Sequence, residues 1–239
     1  MADDKNLTNE ITDVKNNGLE ALQPAITFFK KFKAFFIGIL GGILLFVLYK
    51  TFFASKPDVA KELKAETALM GATSYKEQDS FNVALNGDAQ VEGYLSIIKK
   101  NKGTQAANIA MLEAAMCYLK TDKPKEALKM LENAGGFGTQ VNARRLSLIG
   151  DAKSEIATEG TTVNNKGCED AIGYYEKAAN AMPDDELSAM YLAKAGNLYE
   201  KIGNTKDAIK TYQKIKSKYP DYQQIQSIDK SLGKLGVLN

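Results

Sequence analysis

The longest apolar run in the chain covers residues 34–49 and reads AFFIGILGGILLFVLY. It contains no charged residue and is apolar all round, whereas a buried core helix normally keeps one polar face. If Lys50 places its ammonium at the membrane surface and the following TFFA (residues 51–54) is included, the run reaches the roughly 20 residues that cross a bilayer. The pattern predicts a transmembrane helix within residues 30–56.

The residues before this run predict its orientation. Lys30, Lys31 and Lys33 stand directly before it, and the positive-inside rule places such a cluster in the cytoplasm. About 33 mostly polar residues precede the run, too many for the basic start of a cleaved signal peptide. We therefore expect residues 1–29 to form a cytoplasmic tail and the large C-terminal part to lie outside the cytoplasm.

Three glycines inside the run are candidates for helix packing. Gly38 and Gly42 have the G-x-x-x-G spacing, with Gly41 beside them. Glycines at this spacing allow another helix to approach closely in lipid. Glycine is also simply frequent in membrane helices, so both interpretations stay open.

Small and aromatic residues recur at fixed offsets through the rest of the chain. In the last unit, Gly196 and Tyr199 are followed by a second set, which consists of Ala208, Tyr212 and Pro220. An earlier unit shows the same spacing in Ala115, Tyr118, Ala127 and Leu131, and the middle unit has Gly150, Ala171, Tyr175, Ala178 and Pro183 with an insertion around residues 158–167. Small residues suit the crossing points of paired helices, and proline ends the second helix of a pair.

This pattern resembles the tetratricopeptide repeat (TPR), in which helix pairs recur about every 34 residues. The resemblance implies an all-α chain, with the transmembrane helix followed by an α-solenoid. We expect a degenerate first repeat at residues 57–103, TPR repeats at 104–220 and a C-terminal capping helix at 221–239. An apolar stripe supports the capping helix, formed by Ile225, Ile228, Leu232 and Leu235. Predicted helix N-caps are Thr104, Asp122 before Pro124, Asp184 or Asp185, and Thr205.

Composition argues against catalysis. The chain has no histidine, which excludes Ser-His-Asp and Cys-His nucleophilic sites and histidine-ligated metals. The net charge of +2 in 239 residues gives no reason to expect a nucleic-acid partner. Cys117 and Cys168 are too few for a disulfide scaffold. We expect no enzymatic activity, no cofactor and no metal.

The TPR resemblance also implies a binding groove lined by the first helix of each repeat. The family's groove positions correspond here to Ile109, Leu112, Met116, Arg144, Ser147, Asp151, Met190, Ala193 and Asn197. Apolar residues in a groove suit an extended or helical hydrophobic segment of a partner. The alternative, that these residues pack against neighbouring helices, stays equally open.

The whole arrangement resembles the YfgM-type family of single-span TPR proteins, ancillary subunits of the bacterial Sec translocon. The segments KEQDSFNVALNGD and YLSIIKKNKGTQAANIAMLEAAMCYLK are also similar to single-span TPR proteins of Bacteroidota envelopes. The resemblance implies an inner-membrane protein with a periplasmic TPR domain that binds translocon subunits and a membrane-anchored prolyl isomerase or chaperone, and helps unfolded exported chains onward. The alternative is a scaffold for another cell-envelope assembly or secretion complex.

Overall fold

The computed structural model describes residues 24, 27–28, 31–52, 59–183 and 185–237. The chain divides into two compact units, Met1–Lys56 and Pro57–Asn239. Every regular element among the described residues is a helix, and an isolated antiparallel bridge joins Gly87 to Glu92. The predicted cytoplasmic tail, residues 1–29, lies almost wholly outside the described residues.

The first unit contains helix α1, Lys33–Phe52, whose described apolar side chains are exposed. In the part of the chain that the structure describes, no helix is long and apolar enough to cross a membrane. This finding contradicts the predicted transmembrane helix at residues 30–56. It also contradicts the predicted single-pass inner-membrane location with a periplasmic domain.

The second unit is a succession of paired helices. Helix α2 pairs with two short helices, α3 and α4, and three longer pairs follow, α5 with α6, α7 with α8, and α9 with α10. A last helix, α11, packs against α10. Their bounds are Val59–Glu77 (α2), Phe81–Asn86 (α3), Tyr94–Lys100 (α4), Gln105–Lys120 (α5), Pro124–Asn133 (α6), Thr139–Ala157 (α7), Asn165–Ala181 (α8), Glu186–Lys201 (α9), Thr205–Lys218 (α10) and Ile225–Lys234 (α11).

Side-chain caps mark the beginnings of α5 and α9, each the first helix of its pair. The Thr104 hydroxyl accepts a hydrogen bond from the backbone N–H of Ala107 at the start of α5. The Asp185 carboxylate accepts one from the N–H of Leu187 at the start of α9. Each cap satisfies a donor that the first turn of a helix leaves without an intrahelical partner. Both predicted caps are confirmed, and Asp184 lies outside the described residues.

Two other predicted caps are displaced by one residue. The N-cap of α10 is Asn204, whose side chain accepts from the N–H of Asp207, so Thr205 is the first helical residue. Helix α6 begins at Pro124 with Lys123 at the cap position, while Asp122 has a φ of 54° in the preceding turn. Asparagine is as good a cap as aspartate or serine, which is why residue type alone did not locate the start of α10. At α6 the cap position carries a lysine that makes no side-chain cap hydrogen bond.

The repeated glycines and tyrosines form the contacts within two helix pairs. A Cβ placed on Gly150 of α7 would lie 2.6 Å from a ring carbon of Tyr175 on α8. On Gly196 of α9 it would lie 2.8 Å from Cζ of Tyr212 on α10, and nearer still to Cε1. The predicted correspondence of these positions therefore describes a real packing contact, in which the tyrosine ring fills the space that glycine leaves free.

The insertion and the C-terminal stripe both have clear places in the fold. Residues 158–164 form the connection between α7 and α8 and end at Asn164, which caps α8. Ile228 and Leu232 of α11 are buried in the cluster that contains Tyr212. Helix α11 thus covers apolar residues of the last pair that would otherwise face water, as a terminal element of a solenoid must.

Both cysteines are free thiols and buried. Cys117 of α5 packs in the cluster formed by α2, α3, α4 and α5. Burial raises the pKa of the Cys117 thiol from its ordinary value of 9.0 to about 11. The folded chain therefore holds this proton more tightly than the unfolded chain does.

We expect stability to fall at alkaline pH through this thiol. Its contribution is fully present below pH 9.0 and is lost as the pH rises to about 11, by up to about 2 kcal/mol. Urea unfolding of the full chain at pH 8 and pH 11 measures this change, with Cys117→Ala as the matched control. Buried tyrosines contribute to both proteins, so an identical pH dependence of the two would contradict the assignment to Cys117.

Candidate partner-binding surface

The first helices of successive pairs lie side by side, and ion pairs join them. Lys76 Nζ of α2 lies 2.5 Å from Glu113 Oε2 of α5. Arg144 of α7 approaches the other oxygen of Glu113 at 3.9 Å. Lys194 Nζ of α9 lies 2.7 Å from Asp151 Oδ2 of α7. We call the side of the unit formed by α2, α5, α7 and α9 the first-helix surface.

Two clefts open between these helices. The α5/α7 cleft has a volume of about 330 Å³, and Met116 and Asp151, both predicted groove residues, line it. The α7/α9 cleft has a volume of about 410 Å³ and is lined by Arg144, Ser147 and Met190, which were also predicted. The structure therefore brings five of the nine predicted residues to these two clefts.

The other four predicted residues have different positions. Leu112 is only 2 % exposed and packs in the cluster that contains Leu131 and Ile149, while Ala193 is 8 % exposed within the core of the last pairs. For these two, the packing interpretation holds. Ile109 is half-buried on α5 and Asn197 is exposed on α9, and neither lines one of the two clefts.

Sequence reasoning missed Glu113 and Lys194, each directly after a residue that it selected. Both contribute the charges that connect the first helices. Helical periodicity could have found them, because residues three and four apart share a face. On α5 this spacing relates Ile109, Glu113 and Met116, and on α9 it relates Met190, Lys194 and Asn197.

Asp151 is the centre of a polar network on α7. Lys194 donates to both of its carboxylate oxygens, at 2.7 and 2.8 Å, and the hydroxyl of Tyr175 donates to Oδ1 at 2.9 Å. Lys194 also lies 3.4 Å from Ser147 Oγ and 5.7 Å from the centre of the Tyr175 ring. Burial, with the neighbouring Asp151 charge, raises the pKa of Tyr175 well above its ordinary value. The network holds these side chains in place before any partner binds.

The α7/α9 cleft is mainly apolar above this network. Val141 and Leu187 stand at its edge, 38 % and 37 % exposed, and Met190, Leu148 and Tyr191 also line it. Val141 and Leu187 are among the few large apolar side chains of the second unit that the structure leaves exposed. Exposed apolar surface beside fixed polar groups is typical of a site that binds another polypeptide.

The residues described give no support to metal chemistry or to close packing at the α1 glycines. Among them, no group of three or more histidine, cysteine, aspartate or glutamate side chains could hold a metal ion. Within the described part of the chain, a Cβ on Gly38, Gly41 or Gly42 would meet nothing within 4 Å. Their predicted role in transmembrane helix packing depended on the membrane-spanning helix that the structure contradicts.

Stacked helix pairs, a covering C-terminal helix and clefts between the first helices define a helical-repeat protein of the α-solenoid class. The family model for the soluble NSF attachment protein, SNAP, matches residues 47–232. The chain therefore belongs to the SNAP family, whose members are TPR-like helical-repeat proteins. No curated protein matches the chain.

Proposed function

We propose that this protein is a non-enzymatic adaptor that binds a segment of a partner protein on its first-helix surface. The observation that carries the proposal is the α7/α9 cleft of about 410 Å³, where Val141 and Leu187 are exposed beside the ordered network of Asp151 and Lys194. Apolar side chains of a partner would fill the cleft, and the fixed polar groups would orient its backbone.

The family supports an adaptor role in general terms. The name soluble NSF attachment protein describes a protein that attaches NSF, which is a binding function. A chain without histidine, whose first-helix surface holds the ion pairs Lys76–Glu113 and Asp151–Lys194, fits binding better than catalysis.

The identity of the partner is a finer proposal that rests on sequence resemblance alone. In the YfgM-type version, the partners are subunits of the Sec translocon, a prolyl isomerase or chaperone, and exported chains in an unfolded state. In the other version, the protein is a scaffold within a different assembly or secretion complex. Both versions use the same adaptor surface, so mapping that surface comes first.

We expect a photo-crosslinking amino acid at Val141 to capture a defined partner in the cells that make this protein. The matched control is the same amino acid at Asp170, an exposed residue on α8, the second helix of the same pair. Mass spectrometry of the adducts should give a set specific to Val141, because only that position lies at the α7/α9 cleft. Equal adducts from both positions, or none from Val141, would contradict the proposed surface.

A further inference from the structure

Leu148 lines both clefts of the first-helix surface. Arg144 lies in the α7/α9 cleft, and Glu155 lies in the α5/α7 cleft. Both belong to α7, on either side of Leu148. A ligand that crosses Leu148 would therefore meet opposite charges at its two ends.

The positive charge of Arg144 is only partly neutralised by its neighbours. The Glu113 carboxylate already receives Lys76 at 2.5 Å, and Arg144 approaches it only at 3.9 Å. Arg144 also donates through Nη2 to the sulfur of Met116, a weak acceptor. One carboxylate thus serves two cations, and the half-exposed guanidinium keeps donors available for a further carboxylate.

The Glu155 carboxylate has no ion-pair partner among the described residues. Asp151, one helical turn before it, is already paired with Lys194. Among the described residues, no cation lies within 4 Å of the Glu155 carboxylate, although Lys120 lines the same cleft. Partial burial, together with the carboxylates of Asp151 and Asp122, raises the pKa of Glu155. A cation brought by a ligand would relieve this repulsion.

We infer that the partner segment carries one acidic and one basic residue separated by apolar residues. Its acidic group pairs with Arg144, its apolar side chains cover Leu148 and fill the α7/α9 cleft, and its basic group pairs with Glu155. The two α7 positions are about 16 Å apart at 1.5 Å per residue. This corresponds to about five positions of an extended segment or about eleven of a helical one. The inference rests on the proposed adaptor function and specifies its ligand.

Fluorescence anisotropy with synthetic peptides and the full chain tests this pattern. The probes carry glutamate and lysine five or eleven positions apart, in either order, with apolar residues between them. Peptides with glutamine at both charged positions, and peptides with two like charges, are the comparison. We expect the best charge-separated peptide to bind about three- to tenfold more tightly than its neutral counterpart.

Two protein variants assign the two ends. Arg144→Gln should remove the advantage that the peptide gains from its glutamate and leave the advantage from its lysine. Glu155→Gln should do the reverse, and far-UV circular dichroism confirms that both variants are folded. Coupling between each side chain and one peptide charge is what a double-mutant cycle measures.

The outcomes separate this inference from the proposed function. Equal binding of charged and neutral peptides, or variants that act regardless of peptide charge, would overturn the inference while the adaptor surface remains. If no peptide binds, the inference is also overturned. In that case the Val141 adducts decide whether the proposed surface fails as well.

Discussion

Replacing Gly196 by alanine should lower the free energy of unfolding by about 2 kcal/mol, although alanine is the better helix former. The new methyl group would lie 2.8 Å from Cζ of Tyr212, well inside contact distance. The ring is fully buried, and its hydroxyl lies 2.7 Å from Asn197 Oδ1 and 2.5 Å from Glu200 Oε1. Because the ring cannot move freely, α9 and α10 must separate. Urea unfolding measures the loss.

Gly173→Ala is the matched control for this prediction. Gly173 lies within α8, and a Cβ there meets no described atom within 4 Å. Alanine should therefore show only its helix preference and raise stability by about 0.5–1 kcal/mol. If Gly196→Ala stabilised the chain as much as Gly173→Ala, close packing of Tyr212 on α9 would not be limiting, and the physical reading of the repeat positions would be wrong.

Replacing Glu113 by glutamine should destabilise the chain by about 2–4 kcal/mol. Glu113 is 9 % exposed, and its carboxylate is the shared partner of Lys76 and Arg144. Glutamine keeps the shape but removes the charge, so the Lys76 ammonium, itself mostly buried, loses its counter-ion. Chemical denaturation of the full chain at neutral pH measures the effect.

Two comparisons show whether charge is the cause. Glu132→Gln on α6 changes an exposed glutamate in the same way and should alter stability by less than about 0.5 kcal/mol. A double variant, Lys76→Met with Glu113→Leu, should recover much of the loss because it removes both buried charges and leaves only the half-exposed Arg144 guanidinium, which water can solvate. A loss as large in the double variant as in Glu113→Gln would point to packing and contradict the electrostatic explanation.

The charged residues of the first-helix surface fall into two groups, those that connect helices and those that keep charge available. Glu113 and Lys194 are the residues that connect α2, α5, α7 and α9 by charge. Substitutions at these residues are expected to affect the stability of the fold as well as the binding of any partner. Arg144 and Glu155 keep charge available, so they are better positions at which to alter partner binding without altering the fold.

Much of the repeat organisation was predictable from the sequence by itself. Fixed offsets of small and aromatic residues identified Gly150, Gly196, Tyr175 and Tyr212 as equivalent positions, and the structure shows the ring-on-glycine contact in both pairs. Such contacts depend on local spacing within one helix pair, so the residues that form them recur at regular offsets in the sequence. The apolar stripe of α11 is readable for the same reason, because one buried face imposes a helical period.

The sequence also located features that a few neighbouring residues decide. Thr104 and Asp185 cap their helices through bonds to backbone groups two or three residues away. Such bonds need no information from the rest of the fold. Asn204 was missed because Thr205 beside it is an acceptable cap as well, and a difference of one residue lies within the ambiguity of cap chemistry.

The partner surface depended on the tertiary structure. Leu112 and Glu113 are adjacent, and only the angle at which α5 packs between its neighbours turns the leucine into the core and the glutamate toward Lys76 and Arg144. Ala193 and Lys194 differ in the same way. The pairing of Asp151 with Lys194 joins residues in different repeats, and no local pattern specifies it.

The long apolar run led to the largest error. Its hydropathy indicated a membrane-spanning helix, whereas no helix in the described part of the chain is long and apolar enough to cross a membrane. The sequence by itself determined the helix pairs, their internal contacts and the covering helix, since these follow from spacing along one stretch of chain. The tertiary structure decided which side chains face the first-helix surface and which charges remain available there, since both depend on how separate helices are rotated against one another.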